Sequence, residues 1–132
     1  EKGKGAYLNG KKITCSKITD LASTQGIMSI FLKKPNANFV KKLVAAQEKE
    51  KFWPTSLMCI AMEATLVADG RRDWVFVPIA GGVWDYAAAY IILKESGCVV
   101  TNLKGKEWSL KDNEILAANP KLHSKLLKII NN

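Results

Sequence analysis

Apolar and polar positions along this chain fall into short blocks, and the period changes from one block to the next. Ala6-Tyr7-Leu8, Asn9-Gly10 and Lys11-Lys12-Ile13-Thr14-Cys15 predict a β-hairpin. Asn-Gly supplies the positive φ that both central residues of a two-residue turn require. The polar run Ser16 to Gln25 predicts a connecting loop, and Gly26 to Phe31 a strand apolar enough to be covered on both faces. Pro35-Asn36 breaks the chain and offers a cap. From Asn38 onward, Phe39, Val40, Leu43, Val44 and Ala46 share one helical face, while Lys41, Lys42, Glu48 and Lys49 share the other. That division is the mark of a surface helix.

Lys51-Phe52-Trp53-Pro54 ends this unit, and Thr55 or Ser56 is placed to cap a second helix. Leu57, Ile60, Ala61, Ala64, Val67 and Ala68 recur there at helical spacing, and the opposite face (Met58, Met62, Thr65, Leu66) is also largely apolar. Such a helix is expected to pack on two sides, with the methionines as core filler. Glu63 is its only charge before Asp69, and Gly70 ends it.

Asp73 to Pro78 predicts a strand; Gly81-Gly82 a hinge; and Val83-Trp84-Asp85 the start of a helix that stays apolar on nearly every side until Lys94 and Glu95. An apolar surround belongs inside a fold, yet Asp85 stands in the first turn. An unpaired carboxylate there must find backbone N–H donors, a cation or a metal. Capping of its own helix and ligation of a metal both remain open on local evidence. Gly97 closes the helix; Cys98 to Leu103 and Glu114 to Ala118 predict strands around a Lys104-Gly105-Lys106 turn. Asn119-Pro120 then opens a last helix with a cap and a proline at its first position. Leu122, Leu126, Ile129 and Ile130 line its inner face, and His123 is expected to be exposed and without a role. No Ser/Asp spacing supports a triad around this lone histidine.

Alternating strands and helices, two of the helices needing cover on both sides, predict a layered α/β sheet-and-helix sandwich formed by residues 1–132 as one domain. The longest apolar run, Tyr86 to Leu93, is far too short to span a bilayer. Cys15, Cys59 and Cys98 are odd in number and widely spaced, so they read as reduced structural thiols, and a cytoplasmic protein without a leader segment is expected. The net charge of +8 comes from eighteen lysines and only two arginines, Arg71 and Arg72. It is dispersed and lacks the arginine and aromatic interleaving of nucleic-acid grooves, which argues against a nucleic-acid partner. The chain opens at Glu1, directly before a strand-like segment, as a piece cut from something longer would.

Four strings carry a family resemblance. Leu66-Val67-Ala68-Asp69-Gly70-Arg71-Arg72-Asp73 followed by Val83-Trp84-Asp85-Tyr86-Ala87-Ala88-Ala89 resembles the "VAxGRxD … WDxAAG" signature of the inositol monophosphatase superfamily. Ile92 to Thr101 is similar to its "ILxEAGGxVT" segment, and Ile115 to His123 to its closing "ILAANPKLH". Gly3 to Ile13 resembles its "GxGAFxNGxxI" hairpin. The four stand in the family's order across almost the whole chain.

The resemblance implies the C-terminal half of that fold and Mg²⁺-dependent hydrolysis of a phosphate monoester. By position Asp85 becomes a metal ligand, with Gly81 and Gly82 letting the backbone approach a bound anion. Cys59 and Ile60 fall where the family's "SxGSAA" helix start contacts substrate. No catalytic residue of the family's own kind falls in this chain, because its "GEE" and "DPIDGT" ligand segments belong to the N-terminal half. The implied partners are a small phosphorylated substrate, that missing half and a second copy of the protein. Two departures stand out. Pro78 occupies the place of a substrate-contacting glutamate, and Met58, Cys59 and Ile60 are bulkier than the small residues they replace. A degenerate, non-catalytic binding or assembly module is therefore the competing expectation.

Overall fold

In a computed structural model the described residues are 2–29, 36–79 and 81–132. The hairpin forms as its turn residues require: β1 (Ala6–Leu8) pairs antiparallel with β2 (Lys11–Ile13). Asn9 and Gly10 take φ of 50° and 77° between them. The remaining strands are β3 (Gln25–Met28), β4 (Trp53–Thr55), β5 (Trp74–Val77), β6 (Val99–Thr101) and β7 (Ile115–Ala118). They form one sheet in the order β4-β3-β5-β7-β6, with β3 parallel to β4 and β5, and β7 antiparallel to β5 and β6. The predicted strand from Gly26 ends by Ser29, and its expected continuation through Ile30 and Phe31, like Pro35, lies outside the described residues.

Strand alternation assigns the two faces of this sheet. Trp74, Phe76, Leu116, Ala118 and Met28 point to one core, filled by Val40 and Leu43 of α1 (Ala37–Glu50) and by Leu122, Leu126 and Ile130 of α4 (Pro120–Asn131). Val75, Val77, Ile115, Ala117 and Ile27 point to the other. There they meet Ala64, Val67 and Ala68 of α2 (Ile60–Ala68) and Tyr86, Ala89 and Leu93 of α3 (Val83–Glu95). The result is the predicted layered sandwich: α1 and α4, the sheet, then α2 and α3. All four residues of β5 and of β7 are buried, as strands covered on both faces must be. Glu95, at the end of α3, accepts the N–H groups of Gly3 and Gly5 at 2.6 and 2.7 Å and so pins the hairpin to this layer. Those two donors hold its carboxyl below the usual carboxylate range.

Several expectations need correction. Trp53-Pro54-Thr55 is an edge strand, and α2 starts at Ile60 with Cys59 at its N-cap, so neither Thr55 nor Ser56 caps it. The outer face of α2 and α3 is left open at their N-terminal ends. Met58, Met62 and Trp84 are 54%, 56% and 76% exposed, so the methionines are not core filler and the apolar surround of α3 does not bury Asp85 completely. Among the described residues nothing covers Met58, Met62 or Trp84. Val44 on α1 is also half exposed, because the sheet ends beneath it at the β4 edge.

His123 is the clearest reversal. It is buried beside β6, with its Nε2 2.9 Å from the Thr101 hydroxyl. The inner face of α4 is wide enough to include it alongside Leu122 and Leu126. Burial pushes the imidazole down to about 4 from its ordinary 6.5. The unfolded chain therefore binds this proton below about pH 6.5, while the folded chain refuses it until about pH 4. Stability is complete above that window and is lost as pH falls through it, by on the order of 2–3 kcal/mol. Urea unfolding at pH 7 and at pH 4.5 will show this loss in the parent chain and a much smaller one in His123→Gln.

Candidate functional site

The entry to α2 and the entry to α3 lie side by side because both helices pack on the same face of the sheet. Between them is a cavity of about 440 Å³. Cys59 and Ile60 line it from α2, and Gly81, Trp84 and Asp85 line it from α3. Two helix N-termini thus meet one opening, each carrying unpaired N–H groups and the positive end of its dipole. Such an opening favours an anion.

Of the residues expected to form the site, Asp85, Cys59, Ile60 and Gly81 are brought together on the cavity wall. Gly82 does not line it, but its N–H donates to Asp85 Oδ2 at 2.8 Å, and Asp85 N–H returns a bond to Gly82 O at 3.0 Å. The carboxylate therefore caps its own helix and faces the cavity at once. A single N–H occupies one of the roughly four lone-pair positions of a carboxylate, so the group retains acceptor capacity toward the opening. Glycine is favoured at both positions, and most strongly at Gly81, whose φ is positive. At Gly81, with φ +56°, a Cβ would lie 1.8 Å from Asp85 Oδ2. At Gly82 it would lie 2.4 Å from the Trp84 ring.

Two participants, Ser29 and Glu63, were not identified from sequence. Ser29, just past β3, forms part of the cavity wall, as does Met58. Behind them is Glu63, wholly buried, whose carboxylate accepts the Ser29 hydroxyl at 2.8 and 3.0 Å. Its Oε1 also accepts the N–H of Leu57 at 3.3 Å and of Met58 at 3.0 Å. The one hint was the isolation of Glu63 as the sole charge of an otherwise apolar helix. Among the described residues no group of three or more His, Cys, Asp or Glu side chains could hold a metal ion. Asp85 by itself therefore does not make a metal site.

Met58 holds φ at +58°, the left-handed region that costs a side-chain-bearing residue roughly 1–2 kcal/mol. The two Glu63 hydrogen bonds to this turn offset that cost. Because the Met58 side chain is more than half exposed, Met58→Gly loses little packing. It is expected to stabilise the chain by roughly 0.5–1 kcal/mol, after the glycine's extra unfolded-state entropy is counted. A higher urea midpoint with unchanged slope will show it; a lower midpoint would mean that the side chain packs more firmly than its exposure indicates.

Comparison with known proteins gives one consistent answer. A profile of the Inositol monophosphatase family matches residues 1–132. The chain is 31% identical over 131 residues to "Fructose-1,6-bisphosphatase/inositol-1-monophosphatase" of Thermotoga maritima, covering 99% of this chain and 49% of that protein. It is 32% identical over 123 residues to inositol monophosphatase 1 of Solanum lycopersicum, covering 91% and 45%. Among solved structures, Thermotoga maritima IMPase superposes with a TM-score of 0.84 at 30% identity, over 99% of this chain and 49% of that one. The extragenic suppressor protein suhB of Bartonella henselae gives 0.89 at 22% identity over 100% and 50%, which speaks for the fold alone. The chain spans about half the length of the curated relatives it matches, and its sheet and four helices correspond to the C-terminal half of the fold. By sequence and by fold, this chain belongs to the inositol monophosphatase family.

Proposed function

We propose that this chain is the C-terminal half of a Mg²⁺-dependent phosphomonoesterase and that Asp85 is one arm of its metal cradle. The observation that carries this reading is the cavity where the N-termini of α2 and α3 meet beside the Asp85 carboxylate. Helix N-termini favour the phosphate of a small substrate, and a carboxylate with spare lone pairs favours a hard cation. Family membership supplies the reaction class. A bound Mg²⁺ would neutralise phosphate charge and lower the pKa of an attacking water. The described residues hold no cluster that would complete the cradle, so the other oxygen ligands would come from the N-terminal half and the isolated chain is expected to be inactive.

Within the cavity, Cys59 and Ile60 on one side and Gly81 on the other would bound the phosphorylated substrate, with Gly82 behind Asp85. The absent N-terminal half would cover the apolar outer face of α2 and α3, where Met58, Met62 and Trp84 are exposed. An uncovered face of this kind drives association, so the isolated chain is expected to form homo-oligomers.

The alternative is a degenerate relative that binds or assembles without turning over. Met58 held in a left-handed turn and Pro78 at the position of a substrate-contacting glutamate favour it. The test joins this chain to an N-terminal half carrying the family's paired acidic segments and assays a chromogenic phosphomonoester with and without Mg²⁺. The phosphatase reading predicts Mg²⁺-dependent turnover. It further predicts that Asp85→Asn, whose amide oxygen can still accept the Gly82 N–H, lowers turnover by about 100-fold or more while leaving the unfolding midpoint nearly unchanged. A silent joined protein favours the degenerate reading, and full activity in Asp85→Asn would reduce Asp85 to a helix cap.

A further inference from the structure

At the far end of α3 from this cavity, two cysteines 83 positions apart in sequence meet at one corner. Cys15 follows β2, and its N–H donates to Ser96 O at 3.0 Å, where α3 ends. Cys98 stands two residues beyond that carbonyl, at the start of the run into β6. A Cβ placed on the intervening Gly97 would lie 3.9 Å from Cys15 Sγ, so the Cys15 sulfur sits over the Ser96–Cys98 corner. Cys98 shares that corner, with its sulfur 3.8 Å from the Ser96 hydroxyl. Both cysteines are free thiols.

The two differ in what can reach them. Cys15 is half-buried and lines a surface cavity of about 500 Å³ that Lys17 and Lys121 also line. Cys98 is buried behind it. A partly exposed thiol beside lysines, with a second thiol at the adjoining corner, is the arrangement in which oxidation is site-selective and reversible. The neighbouring Cys98 thiol draws Cys15 down to about 7, while the Cys15 thiol and burial push Cys98 up. The thiolate therefore forms on the accessible sulfur.

We propose that Cys15 and Cys98 form a redox modification site, in which a small peroxide oxidises Cys15 and Cys98 resolves the product to an intramolecular disulfide. The Cys15 thiolate attacks one oxygen of hydrogen peroxide; the O–O bond breaks, and the departing hydroxide takes a proton to leave as water. Cys15 is then a sulfenic acid. The Cys98 sulfur attacks the Cys15 sulfur, the S–O bond breaks, and the hydroxyl leaves with the Cys98 proton as a second water. Two thiols are oxidised by two electrons, and one peroxide is reduced to two waters. The hydrogen bond from Cys15 N–H to Ser96 already fixes the two backbones side by side, as the short Cα separation of a disulfide requires. The new bond would fasten the end of the hairpin to the α3–β6 corner, next to the Glu95 contacts that hold its beginning.

Cys59 is the internal control, exposed at the other cavity on a different element. The test treats the reduced 132-residue chain, in a Cys59→Ser background and in the parent, with hydrogen peroxide at pH 7. Alkylation and peptide mass spectrometry follow. The expected product is a Cys15–Cys98 linked peptide lighter by two hydrogens, formed in both backgrounds and returned to free thiols by dithiothreitol. In Cys98→Ala or Cys98→Ser, whichever keeps the parent circular dichroism, Cys15 should instead accumulate as a sulfenic acid that dimedone traps. If peroxide sufficient to oxidise Cys59 in the parent leaves Cys15 and Cys98 fully alkylated, the proposal is overturned. Linkage of either residue only to Cys59 overturns it as well.

Discussion

A single buried carboxylate holds the cavity in shape. Glu63 has no exposed surface, and its two oxygens are shared among the Ser29 hydroxyl and the N–H groups of Leu57 and Met58. These partners come from the end of β3 and from the turn that leads into α2. Burying a charge is costly unless its lone pairs are filled, and here several donors fill them. Without the carboxylate, the Met58 turn would have little to hold its left-handed backbone, and the α2 entry would lose its tie to the sheet. The opening between α2 and α3 depends on that tie.

The other wall of the cavity depends on how β5 delivers the chain. All four residues of β5 are buried between two helix layers, which leaves it almost no freedom of position. The chain leaves this strand, turns at Gly81 with φ +56°, and enters α3 at Val83. Side chains at Gly81 or Gly82 would strike Asp85 or Trp84, so the absence of a Cβ lets the carboxylate fold back over the helix start. Capping and facing the cavity are therefore one geometry. The two readings of Asp85 that the sequence left open are not exclusive, since one oxygen suffices for the cap.

Much of this was legible in the sequence, and the parts that were not share a cause. The Asn9-Gly10 turn and the Asn119-Pro120 cap are local chemistry, and both form as expected; Asn119 Oδ1 accepts the N–H groups of Lys121 and Leu122 at 3.1 Å. Strands β5, β6 and β7 and the four helices follow from the period of their apolar residues. Trp53-Pro54-Thr55 did not read as a strand because proline is tolerated only at an edge, and the sequence does not say where the edge is. The apolar character of α2 and α3 was plain, but periodicity reports what a helix could bury, not what is present to cover it. His123 and Glu63 were misjudged or passed over because their partners, Thr101 and Ser29, are distant in sequence and neither pair has a spacing that marks it. At the cavity, Asp85, Met58, Cys59, Ile60 and Gly81 are legible through family resemblance, whereas Ser29 and Glu63 emerge only from the fold.

The account rests on Asp85 serving both its own helix and a cation with one carboxylate. The most direct measurement is anomalous diffraction from crystals of the protein joined to its N-terminal half and soaked in Mn²⁺ as a stand-in for Mg²⁺. A peak about 2.1 Å from one Asp85 oxygen, with the other still accepting the Gly82 N–H, is the predicted result. Asp85 bound only to the helix backbone, with Mn²⁺ held elsewhere by the acidic segments of the other half, would contradict it.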